Sequence, residues 1–383
     1  MSIHCNVCAL KIVKPLFSPP GSTSLTSLGD VIGGSADVYF CDNCGHLQTI
    51  EIQNVAEYYD KQYKILIDSK DEDQLYKIEN GQKIYRYDFQ AKTVLSKLNF
   101  SQNATVLEYG AAKGASIKRV FDSRPDITPH VFDISEMYIP FWDYFIEKKH
   151  QATYTLPAHW HNSVDYVISF YVLEHVANLN QVITDITSLL KDNGKFYFIV
   201  PNTYENIADF VVADHVNHFS SQSICTLMQQ YGFSNVVIDQ TSHESAFIVT
   251  GTKSSSMTKY PVSDDTQCLK KQAQKIADFW LTISHKIHHF EDTQGSTNSA
   301  IYGAGFYGTF IFSHMKKPTD IVCFVDQNRH LHGKSILGIP IVSPENMPAN
   351  IDTLYVGLNP KYAHNIIQSA QVIVDKQLTT LYL

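Results

Sequence analysis

The sequence has no run of eighteen apolar residues, no dense block of lysine and arginine, and few cysteines. The first absence removes the helical membrane span, which needs about twenty apolar residues in a row. The second argues against duplex DNA or long RNA as a partner, because binding a phosphate backbone leaves a basic footprint. With 30 Lys and Arg against 38 Asp and Glu, the net charge is −8. Met1 to Leu10 has no basic stretch followed by an apolar one, so it does not read as a signal peptide. These absences predict a soluble, cytoplasmic protein with neither membrane nor nucleic acid as partner, a monomer or dimer. A length of 383 residues exceeds one ordinary domain.

The seven cysteines are not scattered evenly. Cys5-x-x-Cys8 and Cys41-x-x-Cys44-Gly form two pairs, while Cys225, Cys268 and Cys323 stand alone. A CxxC turn brings two thiolates to one ion, and two such turns complete a tetrahedron around Zn2+. Cys5, Cys8, Cys41 and Cys44 are therefore the expected ligands of a closed, structural zinc site. The Pro/Gly/Ser-rich stretch after Phe17 reads as a long loop between the pairs.

Beyond this module the pattern changes in steps. Residues 1–54 are the expected zinc module and 55–100 a helical linker or lid. From Thr105 strands and helices alternate, which argues for a parallel sheet covered on both faces. Two strand patterns end this block, Asn235 to Asp239 and Ala246 to Gly251. Their short polar connection leaves no room for a crossover helix, so they should be antiparallel. A parallel sheet closed by an antiparallel hairpin is the class I S-adenosylmethionine methyltransferase arrangement. The expected fold is thus α/β: a methyltransferase domain over 101–255, a linking helix over 256–297, and a smaller Rossmann-like domain over 298–383.

Five segments carry the candidate chemistry. Glu108-Tyr-Gly110-Ala-Ala112-Lys-Gly114 follows a strand and opens a helix. Glycines there let backbone approach a ligand, and the helix N-terminus offers free N–H groups. Glu108 is placed to meet a methionine ammonium, and the bland alternative is a Gly/Ala-rich turn. Asp133 ends the next strand, where a carboxylate accepts ribose hydroxyls, or caps a turn. Phe170 and His175 lie at the carboxyl end of a later strand, His175 being an acid/base group or a structural neighbour of Glu174. Asp214-His215-Val-Asn-His218 reads as a base held by a carboxylate, as a His-bearing loop, or as metal ligands. Tyr302-Gly303-Ala-Gly305-Phe-Tyr-Gly308 with Asp326 is close to a dinucleotide fingerprint and equally to a ligand-free scaffold. His285 and His289 share a solvated helix face.

The order of these motifs resembles the nucleotide-deoxysugar C-methyltransferases, over nearly the whole chain. Phe324-Val-Asp-Gln-Asn, Ile339-Pro-Ile and Pro344-Glu are similar to that family's last domain. The resemblance implies S-adenosylmethionine as cofactor, a nucleotide-linked sugar as substrate, and methylation of a ring carbon beside a keto group. It gives the base role to His215, with Asp214 as its partner. His175 would orient the substrate, and Tyr63 would be the N-terminal active-site tyrosine. The chain has Val212-Ala-Asp-His where the family carries Tyr-x-Glu-His, which admits O-methylation instead. An RNA methyltransferase with a zinc gripping module and a non-catalytic binding protein are the other readings.

Overall fold

The computed structural model describes residues 2–19, 23–63, 66–254, 266–295 and 298–383. The polar, Ser-rich stretch from Lys253 to Asp265 predicts a domain boundary, and most of it lies outside these residues. The chain folds as two units, one of residues 1–17, 37–209 and 214–273, the other of residues 18–36, 210–213 and 274–383.

A seven-stranded sheet organises the first unit. Its strands are β1 (Thr105–Tyr109), β2 (Thr128–Asp133), β3 (Gln151–Thr153), β4 (Val164–Phe170), β5 (Leu190–Pro201), β6 (Phe233–Asp239) and β7 (Ala246–Lys253). Their order is β3-β2-β1-β4-β5-β7-β6. The first five run parallel, and β7 lies antiparallel to both β5 and β6, as the short connection predicts.

The central strands are apolar on both faces because both are covered. Val106, Ile168, Tyr197 and Ile199 pack with Ile117 and Val120 of α2 (Ala115–Ser123) and Val94 of α1 (Arg86–Lys97). Leu107, Val167, Phe196 and Phe198 point the other way. They meet Ile183 and Ile186 of α3 (Leu179–Leu189) and Ile224 and Leu227 of α4 (Ser221–Gln230). Asn178 caps α3 by accepting the Gln181 N–H, and Ser220 with Ser223 forms a reciprocal capping box on α4. Both cysteine pairs share the core on the α3 and α4 side.

Three local expectations are corrected. The helical linker or lid expected over 55–100 contains a hairpin, formed by Leu75–Glu79 and Gln82–Tyr85. Its turn is Asn80-Gly81, both at positive φ, the two-residue turn that matches strand twist. The amphipathic spacing from Asn178 to Lys191 predicts a helix closed by Asn193-Gly194, yet α3 ends at Leu189 and β5 begins at once. Val164 pairs with Leu190 and Tyr166 with Lys195, so residues between 190 and 195 bulge out, and Asn193-Gly194 serves that bulge. In the loop between the cysteine pairs, Thr23–Leu25 and Val31–Gly33 pair as a hairpin of the second unit.

The second unit has a six-stranded sheet in the order 335–336, 339–342, 321–325, 299–302, 353–356, 379–382. All neighbours are parallel except the first pair. A Cβ on Gly308 would overlap the Gly303 carbonyl, so this glycine lets the helix Phe306–His314 pack closely on its strand. Asp326 accepts the Ala304 N–H at 2.8 Å and holds the turn. His288 is tied to the His314 carbonyl at 2.8 Å.

Candidate active site and cysteine centre

The strand order reverses between β1 and β4, and a crevice opens beyond their carboxyl ends. A cavity of about 190 Å³ lies there, lined by Glu108, Gly110, Ala112, Asp133, Phe170 and His175 among others. Gly110 has φ 72°, and a Cβ there would overlap Val172. Ala112 sits at φ 45° and Gly114 at 67°, so the loop turns in a left-handed conformation. Asp133 fixes it by accepting the Ala112 N–H at 2.7 Å, while its other oxygen takes the Ser135 N–H at 3.2 Å. Glu108 accepts the Ile117 N–H in the first turn of α2 at 3.0 Å.

Burial raises both carboxyls, Glu108 to about 8 and Asp133 to about 6, against the backbone donors that favour their charge. Among the described residues neither forms an ion pair. Two buried carboxylates without a cation suit a ligand that brings an ammonium and ribose hydroxyls, and each oxygen has lone pairs to spare. The donor set therefore fits S-adenosylmethionine.

The segment before the hairpin covers one side of the cavity. Tyr59 and Tyr63 line it. Ser135 and Tyr154 bond to Asp60, and Tyr138 reaches the Tyr63 carbonyl. Lys113 of the glycine loop donates to the carbonyls of Glu72 (2.6 Å), Ser69 (3.1 Å) and Lys70 (3.4 Å). The loop that would cradle a cofactor is thereby joined to its cover.

The structure brings His175, Asp214, His215 and His218 together, but it pairs them differently from the expectation. His215 Nδ1 donates to Asp209 Oδ1 at 2.5 Å, not to Asp214. Asp209 also accepts from His218 Nδ1 at 3.0 Å and from the Thr203 hydroxyl. The Asp214 side chain lies 3.6 Å from His175 Nδ1 instead. Adjacent residues diverge in direction here, so Asp214 turns to one histidine while the short helical turn at 209–211 swings Asp209 under the other. His175 Nδ1 faces the Asp214 carbonyl at 3.0 Å and the Tyr59 hydroxyl at 2.9 Å. A carbonyl only accepts, so Nδ1 carries the hydrogen and Nε2 is bare. The rings of His175 and His215 meet edge to face at 4.7 Å, and Tyr63 packs on His175 at 5.5 Å.

The two histidines differ in charge. Burial, then the neighbouring His215, lowers His175 to about 4. Burial also disfavours the His215 cation, but Asp209 outweighs it, with Asp214 and Glu174 adding to the effect, and His215 rises to about 9. The two shifts run in opposite directions, so His175 is the ring that favours the neutral form and His215 the ring that favours the cation. Buried Glu174, raised to about 8 by desolvation, leaves its Oε2 without a hydrogen-bond partner.

Tyr59, Asp209 and Thr203 are site residues that the motifs did not reveal. Tyr59 had a signal in the cluster Tyr58-Tyr-Asp-Lys-Gln-Tyr63; the two others sit in an unremarkable stretch.

The cysteines form the second centre. Cys5 and Cys44 sulfurs lie 3.6 Å apart and those of Cys8 and Cys41 3.5 Å apart. All four fall within 4.8 Å of one another. Tetrahedral Zn–S bonds of about 2.3 Å place sulfurs about 3.8 Å apart, so the spacing fits. Each pair is wound by the same turn: Ala9 N–H to the Cys5 carbonyl, and Gly45 N–H to the Cys41 carbonyl, both 2.9 Å.

Residues 82–238 match the family described as a methyltransferase domain. The match covers the glycine loop, Asp133 and the histidine cluster, and marks this part of the chain as a methyltransferase domain. No curated protein matches the sequence. Among solved structures it is similar to the complex of the Haloferax volcanii Trm112 methyltransferase activator with a methyltransferase: 16% identity, 45% of this chain and 92% of that one, TM-score 0.39. It is also similar to human N-acetylserotonin methyltransferase in complex with SAM, at 15% identity over 44% of this chain and 53% of that one, TM-score 0.37. The match thus spans about half the length of the human enzyme. Among the described residues no helix is long and apolar enough to cross a membrane.

Proposed function

We propose that this methyltransferase acts on a nucleotide-linked sugar, methylating a ring carbon beside a keto group. The observation that carries the reading is the pairing of a neutral imidazole on the cavity wall, His175, with a charged one, His215. Such a pair suits removal of a proton next to a carbonyl: one ring takes the proton, and the charge of the ring packed against it offsets the charge that develops on oxygen. O-methylation needs only the base, so the imidazolium favours carbon as the acceptor. The order of motifs along the chain supports a nucleotide-linked sugar.

When bound, S-adenosylmethionine supplies an electrophilic methyl group. Glu108 holds its ammonium end and Asp133 its ribose, and the loop from Gly110 to Gly114 keeps the backbone close. His175 takes the proton at Nε2, its tautomer fixed by the Asp214 carbonyl and Tyr59. His215 keeps its charge through Asp209. The four cysteines would hold a structural Zn2+.

The test is mass spectrometry of a panel of nucleotide sugars incubated with the protein and labelled methyl donor. Gain of one methyl at carbon supports the reading, and gain at oxygen overturns the carbon assignment. Calorimetry should find donor or product binding weakened at least about tenfold by Glu108→Ala or Asp133→Ala. Failure of the native protein to bind either overturns the whole reading.

A further inference from the structure

Asn217 is fully buried, does not line the cavity, and uses its whole side-chain amide. Its Oδ1 accepts from Asn6 Nδ2 at 2.9 Å and from His46 Nε2 at 3.1 Å. Its Nδ2 donates to the carbonyls of Leu173 at 2.8 Å and Val176 at 2.7 Å. The orientation is forced, because the reversed amide would set donor against donor and oxygen against oxygen.

The four partners belong to three different pieces of chain. Asn6 lies inside the first cysteine pair and His46 two residues after the second. Leu173 and Val176 bracket Glu174-His175, the turn that carries the neutral imidazole. The backbone adds a second connection. Asn217-His218 pairs antiparallel with Leu47-Gln48 directly after Cys44-Gly-His. Thr49 donates its hydroxyl to the His215 carbonyl at 2.8 Å and its N–H to the Val216 carbonyl at 3.2 Å. Gln48 in turn bonds to His4 and to the Asn6 N–H. The fold could support the His175 turn with apolar packing alone. It uses a saturated amide that both cysteine turns hold in place.

We infer that Asn217 is a positioning residue for the reaction, which makes the geometry of the His175–His215 pair depend on the cysteine centre. This rests on the functional reading above. The cysteine centre is then more than a stabiliser of the N-terminal segment. With all four sulfurs drawn to one ion, Asn6 and His46 stand where Oδ1 needs them. With the ion gone, both turns relax, the amide loses its two donors, and the His175 turn loses its fixed register.

The experiment uses the full, zinc-loaded chain and its Asn217→Ala variant, read by the nitrogen NMR signals that distinguish imidazole tautomers. In the native protein His175 should show a single Nδ1–H form. In Asn217→Ala that signal should average between tautomers, while calorimetric affinity for S-adenosylhomocysteine stays within about twofold. Chelating the metal from the native protein should reproduce the His175 change, and chelation should add nothing to Asn217→Ala. Where turnover is followed, kcat should fall on the order of 100-fold with KM for the donor unchanged. Unaltered His175 signals in the variant overturn the inference. So does a chelation effect equally large in native and variant protein, because independent effects add. If Asn217→Ala does not fold, Asn6→Ala removes only one donor to Oδ1. It should shift the His175 signals in the same direction, and native signals there also overturn the proposal. The NMR readout needs no acceptor, so failure of the sugar assignment leaves this test intact.

Discussion

Asp209→Asn should remove the positive charge of His215 at neutral pH. His215 stands at about 9 against an ordinary 6.5, with Asp209 the largest raising influence. At about 1.4 kcal/mol per pH unit, that shift is about 3 kcal/mol of preference for the imidazolium. Burial alone pushes the other way, so without the carboxylate His215 should titrate below 6.5. The amide also has one oxygen for three donors, His215, His218 and Thr203, so at least one imidazole must change tautomer. The sign of the stability effect follows from the raised value. The pair's stabilisation is complete below about 6.5 and fades as pH rises through about 9. The gap in unfolding free energy between native protein and Asp209→Asn should therefore shrink by about 3 kcal/mol between pH 6 and pH 10. Asp209 itself lies well below the usual carboxylate range and does not titrate in that window. Denaturant unfolding across pH, with NMR titration of His215, checks both parts. A His215 titration still near 9 in the variant, or a gap that does not change with pH, refutes the assignment of Asp209 as the partner.

Other perturbations probe the rest of the site. Gly110→Ala combines positive φ with overlap on Val172, and calorimetry should show donor binding weakened at least about tenfold. Lys113→Met keeps the stem but abandons the carbonyls of Ser69, Lys70 and Glu72, and hydrogen exchange over 66–73 should accelerate while the central strands stay protected. Cys8→Ser, or a zinc chelator, should lower the midpoint of thermal unfolding by on the order of 5–10 °C. The profile of kcat/KM should rise through about pH 4, as His175 loses its proton, and fall through about pH 9, as His215 loses its own.

Much of the sheet was legible because the physics that sets it is local. Continuous apolar strands such as Lys195 to Val200 signal burial on both faces, and a connection too short for a helix forces β6 and β7 antiparallel. The glycine loop and Asp133 were legible for the same reason, since a ligand needs N–H groups and a carboxylate at strand ends. The hairpin at Asn80-Gly81 was equally readable. It was missed because the helical spacing of α1 was extended backwards over a turn with its own chemistry.

The histidine network lay beyond such reasoning for a different cause. Asp214 beside His215 is the pair a reader chooses, because sequence neighbours are visible and spatial neighbours are not. Between Asn202 and Val216 turns and one short helical turn succeed each other, so successive side chains keep no single period, and the carboxylate six residues away reaches the ring first. The charge of each histidine is further removed still. His175 and His215 are the same residue type with the same ordinary titration. They diverge because both are buried, which disfavours the cation of each, and only His215 has a carboxylate bonded to its ring, while His175 has the His215 ring beside it. The hydrogen-bond partners that distinguish the two rings, Asp209 for His215 and Tyr59 for His175, are thus residues that no motif contains.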